Sequence, residues 1–135
     1  MAKIGFTGTR HGMSEEQKAE FKKIVRNKDC DEFHHGVCVG SDEQAHSLAK
    51  DLDLKIVGHP PTFKKFMSEV ICDINKKPHD YLQRNKNIVD ETDILIATPD
   101  VKEKVRSGTW STIRYARKQH KKIYIIHKNG RVTIE

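Results

Sequence analysis

Short apolar runs separated by longer stretches of helical period constrain this chain most, because that alternation is the mark of βα units laid around a parallel sheet. Lys3-Ile4-Gly5-Phe6-Thr7 is the first run. Ser14 then stands as a helix N-cap with Gln17 in the capping-box position, and Phe21, Ile24 and Val25 share one face of the helix that follows. A second strand spans about Phe33 to Val37. After a turn through Cys38-Val39-Gly40-Ser41, a cap at Ser41 or Asp42 opens a helix with Ala45, Leu48, Ala49 and Leu52 on its inner side.

Leu54 to Gly58 is the third strand, ended by His59-Pro60-Pro61, which cannot continue a ladder. The pattern predicts a short helix around Phe63 to Ile71 and a longer one from Tyr81 to Val89. Asp93 to Ala97 is the most strand-like run, a loop from Thr98 to Ser107 leads to a helix from Thr109 to about Gln119, and Lys122 to His127 is a last buried strand. Asn129-Gly130 is a hairpin signal, which makes Arg131 to Ile134 a small antiparallel edge strand. Right-handed crossovers then give an α/β fold: one three-layer Rossmann-like sandwich, residues 1–135, with a mostly parallel five-stranded sheet of order 3-2-1-4-5.

No apolar run approaches the ~20 residues of a membrane span, and MAKIGFTGTRHG lacks the long apolar stretch of a secretory signal. Cys30, Cys38 and Cys72 have no framework spacing, as a reducing compartment permits, so a cytoplasmic protein without a membrane partner is expected.

In such a sheet the ligand crevice lies beyond the carboxyl ends of the strands, where neighbouring crossovers diverge. Glycine and hydroxyl residues accumulate there: Thr7-Gly8-Thr9-Arg10 after the first strand, Gly40-Ser41-Asp42 after the second, Ser107-Gly108-Thr109 before the last long helix. Amides at a helix start lack intrahelical partners and carry the positive end of the dipole, and glycine lets a phosphate approach the backbone. The excess of 25 Lys and Arg over 19 Asp and Glu, a net charge of +6, also favours an anionic partner. Neither a Walker A loop nor a dinucleotide Gly-x-Gly-x-x-Gly occurs, which disfavours kinase and dehydrogenase chemistry.

Thr7-Gly8-Thr9-Arg10, His35-Gly36 through Gly40-Ser41-Asp42 and Ala45, Gly58-His59-Pro60, Arg84-Asn85 with Ile88-Val89, Asp93 to Ala97, and Ser107-Gly108-Thr109 before Ala116 together resemble the SLOG superfamily. That superfamily includes DprA-type proteins, the LOG phosphoribohydrolases and nucleotide-sensing domains. The resemblance implies a nucleotide pocket lined by the Thr7 to Arg10 loop, the Gly40 to Asp42 turn, Arg84-Asn85 and the Gly108-Thr109 helix start. It also implies a homo-oligomer, a dimer or higher. LOG enzymes carry a glutamate in Pro-Gly-Gly-x-Gly-Thr-x-x-Glu that takes part in N-glycosidic cleavage; here Thr112 stands in its place and supplies no carboxylate.

Arg10 and Arg84 suit phosphate as bidentate donors, or serve as ordinary surface charges. Trp110 stands where it stacks on a base or packs against a loop, and His59 is placed to reach the crevice from the end of the third strand. His34 and His35 point to opposite faces of a strand and do not join Cys30 and Cys38 in a metal-ligand set, so neither a metal nor another cofactor is expected. Three functions follow. The first is binding of a nucleotide or nucleotide-derived signal as a sensor or sequestering protein. The second is N-glycosidic cleavage of nucleoside 5′-monophosphates, with Asp42 or Glu43 as the carboxylate. The third, ranked last, is single-stranded nucleic acid binding, which charge and fold alone support.

Overall fold

The computed structural model describes residues Met1–Glu135. Its elements are β1 (Ala2–Gly8), α1 (Glu15–Arg26), β2 (Cys30–His35), α2 (Ser41–Asp51), β3 (Lys55–Gly58), β4 (Ile74–Asn75), α3 (Tyr81–Asp90), β5 (Ile94–Thr98), α4 (Gly108–Lys118), β6 (Lys122–Ile126) and β7 (Val132–Ile134). The sheet runs β4-β3-β2-β1-β5-β6-β7, parallel except for β7 on β6. The expected order 3-2-1-4-5 is present as β3-β2-β1-β5-β6, with β7 as the antiparallel edge. The sheet has seven strands where five and an edge strand were expected, because Ile74–Asn75 pairs with Val57 and Gly58. No helix is long and apolar enough to cross a membrane.

The register of β1 sets the two faces. Ile4 pairs with Phe33 and Ile94, and Gly5 with His34 and Leu95, so alternate residues divide between opposite sides. One side carries Ile4, Phe6, Phe33, Ile56, Ile96 and Ile126 against Phe21 and Val25 of α1 and Ala45 and Ala49 of α2. Phe6, Phe21 and Phe33 meet at centroid distances of 5.6 to 5.8 Å. The other side packs Leu95, Ala97, Ile123 and Ile125 against Val89 of α3 and Trp110, Ile113 and Ala116 of α4.

Local chemistry agrees with these elements. Ser14 and Gln17 form a complete capping box, and the buried Gln17 amide also donates to the carbonyls of Pro99 and Ile126, tying the start of α1 to the ends of β5 and β6.

Three expectations need correction. The second strand ends at His35 and not Val37: Val37 has φ +55°, and the Gly36 and Val37 amides turn from the ladder to the Asp42 carboxylate and the His35 ring. Helix α2 has no side-chain cap; its N-cap is Gly40, and Ser41 and Asp42 are its first helical residues. No helix forms over Phe63 to Ile71. That segment spends its backbone groups on the turn after β2, through Val39 N–H to Phe66 and Ser68 N–H to Val37, while Met67, Val70 and Cys72 pack singly on the first core.

Candidate functional site

Helices α1 and α2 cover one face of the sheet and α3 and α4 the other, so the crossovers diverge between β1 and β5. A cleft of about 470 Å³ opens there, at the carboxyl ends of the strands. Its floor is Phe6 to Gly8. One wall comes from Thr9 to His11, Gly36, Cys38 and Asp42, another from Tyr81, Arg84, Asn85 and Ile88 of α3, and the far rim from Asp100, Lys104, Arg106 and Ser107 to Thr109.

Two glycines let the loops meet. A β-carbon on Gly8 would stand 2.5 Å from the Ser41 β-carbon and from Thr98 Oγ1. Gly40, at φ +83°, lies against the Arg10 backbone, and the next amide, that of Ser41, donates to the Thr9 carbonyl at 3.0 Å. This close approach leaves the buried hydroxyls of Thr9, Ser41 and Thr98 with no hydrogen-bond partner in the protein.

Arg84 is buried, at 7% exposure. Its Nη1 donates to the carbonyls of Gly36 and His59, and its Nε donates to Asn85 Oδ1 at 2.7 Å. Only Nη2 lacks a protein partner, so Arg84 braces the ends of β2 and β3 as well as lining the cleft. Asp42 accepts from the Gly36 and Cys38 amides through Oδ2, at 3.0 and 3.3 Å. Burial pushes its carboxyl up to about 6 against the opposing pull of Arg84 and those amides. Burial also pushes the Cys38 thiol up, which disfavours a thiolate.

The rim at α4 is open and free of acidic side chains in its first turn. Ser107 Oγ accepts from the Trp110 amide, and nothing lies within 4 Å of a β-carbon on Gly108. The lining holds Arg10, Arg84, Lys104 and Arg106 against Asp42 and Asp100. The Arg10 guanidinium also lies 4.2 Å from the centre of the Phe66 ring.

Of the residues singled out from sequence, Thr7, Gly8, Thr9, Arg10, Asp42, Arg84, Asn85, Ser107, Gly108 and Thr109 line this cleft. Gly40 and Ser41 stand behind it. Glu43 is exposed outside it. Trp110 is buried in the second core with its indole N–H on the Val101 carbonyl, and His59 is buried beside His34. Thr112, in the position of the LOG glutamate, donates to the Gly108 carbonyl one helical turn back. Sequence reasoning missed Asp100, which the loop after β5 places in the lining. It also missed Lys104 and Arg106, which the long loop after β5 folds onto the rim and which had no local signal.

No sequence-family profile and no curated protein sequence matches the chain. Solved structures do. The molybdenum cofactor binding protein from Rippkaea orientalis superposes with a TM-score of 0.72 at 20% identity, over 93% of this chain and 76% of that one. The molybdenum cofactor carrier protein from Chlamydomonas reinhardtii gives 0.63 at 20% identity, over 92% and 75%. DprA from Streptococcus pneumoniae gives 0.65 at 18% identity, over 93% of this chain and half of that one. The resemblance to the SLOG superfamily thus holds at the level of the fold.

Proposed function

We propose that the cleft at the strand ends binds a small phosphorylated ligand, a nucleotide or nucleotide-derived signal, which the protein senses or sequesters. One observation carries this reading: Arg10, Arg84, Lys104 and Arg106 line a cleft at a topological switch point, with the buried, partnerless hydroxyl of Thr9 in its wall. A buried hydroxyl without a partner costs about 1 to 3 kcal/mol, and a bound polar ligand would remove that cost. The open start of α4 and the excess of guanidinium and ammonium groups favour an anion. Two proteins of the same fold are described as binding or carrying the molybdenum cofactor, which supports small-ligand binding by this architecture.

The test is calorimetric titration with mononucleotides, cyclic oligonucleotides, ADP-ribose derivatives and the molybdenum cofactor. Saturable binding at one site by any nucleotide supports the proposal, while binding of the molybdenum cofactor alone, or no binding at moderate salt, overturns it.

A second reading is N-glycosidic cleavage with Asp42 as general acid. It rests on a cleft carboxyl held near 6, within reach of neutral pH. Release of free base from AMP, GMP, CMP or UMP that disappears in Asp42→Asn supports it, and binding without release overturns it.

A further inference from the structure

Away from the cleft, the parallel register of β2 and β3 puts two histidines together on the α3 side of the sheet. His34 pairs with Val57, and His59 lies two residues beyond Val57 on the same face. Both rings are buried, with His34 Nδ1 2.8 Å from His59 Nε2. Glu91, at the C-terminal end of α3, brings Oε1 to 4.0 Å from His59 Nε2, and the three candidate ligand atoms lie within 4.8 Å of one another.

Glu32, two residues before His34 on the same face, decides which nitrogen of His34 is free. Its Oε1 lies 2.8 Å from His34 Nε2. A carboxylate only accepts, so His34 Nε2 carries a proton and its Nδ1 accepts from His59 Nε2–H; a metal takes the place of that shared proton when His59 moves its own proton to Nδ1. A carboxylate holding one nitrogen of an imidazole whose other nitrogen faces further ligands is the outer-shell arrangement of metal-bound histidines. We infer that His34 Nδ1, His59 Nε2 and Glu91 form a site for one divalent transition-metal ion of the zinc type, with Glu32 orienting His34.

The geometry needs little adjustment. Tetrahedral zinc with bonds near 2.0 to 2.2 Å spaces its ligands roughly 3.3 to 3.6 Å apart, so the two histidines separate by about half an ångström and the half-exposed Glu91 closes on them. Lys76 lies 3.3 Å from Glu91 and is 45% exposed, free to swing into solvent when the dication takes its place. Two imidazoles and one carboxylate suit zinc or cobalt better than magnesium or calcium.

The second buried cluster fails the same test. His35, His46 and Cys72 also lie within reach of one another. But His35 Nδ1 accepts the Val37 amide at 2.9 Å, so its proton sits on Nε2, which points at His46 Nδ1 from 3.0 Å. Binding a metal there would require an imidazolate or a broken backbone hydrogen bond. That cluster is a hydrogen-bonded core pair.

The experiment is zinc titration of chelator-stripped protein by calorimetry, with cobalt(II) as a spectroscopic probe of coordination. One site per chain is expected, with visible cobalt bands of tetrahedral intensity. Glu91→Gln, on a half-exposed side chain, and His59→Gln should each weaken zinc by tenfold or more, and Glu32→Gln by about 10- to 100-fold. His46→Gln should leave zinc affinity unchanged. Circular dichroism and urea unfolding of each variant separate lost ligands from lost fold. The assignment is overturned by absence of saturable binding, by zinc binding that folded Glu91→Gln and His59→Gln retain in full, or by binding that His46→Gln removes.

Discussion

A β-carbon built on Gly40 would stand 2.2 Å from the carbonyl oxygen of Arg10, so the loop after β1 and the turn after β2 touch backbone to backbone. With φ at +83°, Gly40 is also in a region that side-chain-bearing residues avoid. Gly40→Ala is expected to cost on the order of 2 to 4 kcal/mol through the combined strain and clash, measured by urea unfolding. It should also displace Thr9 and Ser41, so ligand affinity of the folded fraction falls. A variant as stable as the parent would show that the two loops are not in contact.

Arg84→Ala leaves the buried carbonyls of Gly36 and His59 without their charged donor. The expected loss is about 2 to 4 kcal/mol of stability. Arg84→Lys should recover only part of it, because an ammonium lacks the planar fork. Removing the positive charge should also raise the Asp42 carboxyl further above its position near 6, which carboxyl-region NMR titration reads directly. Full stability in both variants would show that Arg84 braces nothing.

Asp42 gives the fold a pH dependence whose sign is opposite to that of an ordinary paired carboxylate. Its folded pKa of about 6 lies above the ordinary 3.8, so its contribution is fully present below pH 3.8 and is lost as pH rises through 6. The loss amounts to about 3 kcal/mol. Asp42→Asn keeps an acceptor for the Gly36 and Cys38 amides and has no charge to bury, so relative to the parent it should gain stability between pH 4 and pH 7.5. Denaturation of both proteins across that range checks the difference; parallel pH profiles would show that Asp42 is not buried as described.

Thr98→Val replaces a partnerless buried hydroxyl by a methyl of the same shape. Stability should rise by about 1 kcal/mol, measured by urea unfolding. A drop in stability would mean that the hydroxyl already has a partner within the folded protein.

Gly108→Glu puts a carboxylate into open space at the start of α4, where nothing opposes a β-carbon. Folding should be unaffected, and an acidic residue in the first helical turn is itself favourable by about 0.3 to 1 kcal/mol. Binding of a phosphorylated ligand should be abolished by charge and bulk together. Retained affinity in a calorimetric titration would place the phosphate away from the α4 amides.

The alternation of β-rich runs with helical stretches, and the hydroxyls and glycines at the ends of those runs, determined the central order β3-β2-β1-β5-β6 and the rim on which Thr7 to Arg10, Asp42 and Ser107 to Thr109 meet, while Arg84 was singled out only through the family resemblance. Those features are local, set by side-chain period and by crossover handedness, so one sequence suffices to see them. Tertiary structure alone decided the rest. Residues 63 to 71 carry a helical pattern, but their backbone groups bond to the turn after β2 and leave no helix. Trp110 begins a rim helix, yet its ring turns into the core. His34 and His35 are neighbours in the chain and face opposite layers, one toward Glu32 and His59, the other toward His46, because a strand alternates its side chains. Which partners they find depends on contacts 25 and 11 residues away in sequence, and no local pattern encodes such distances.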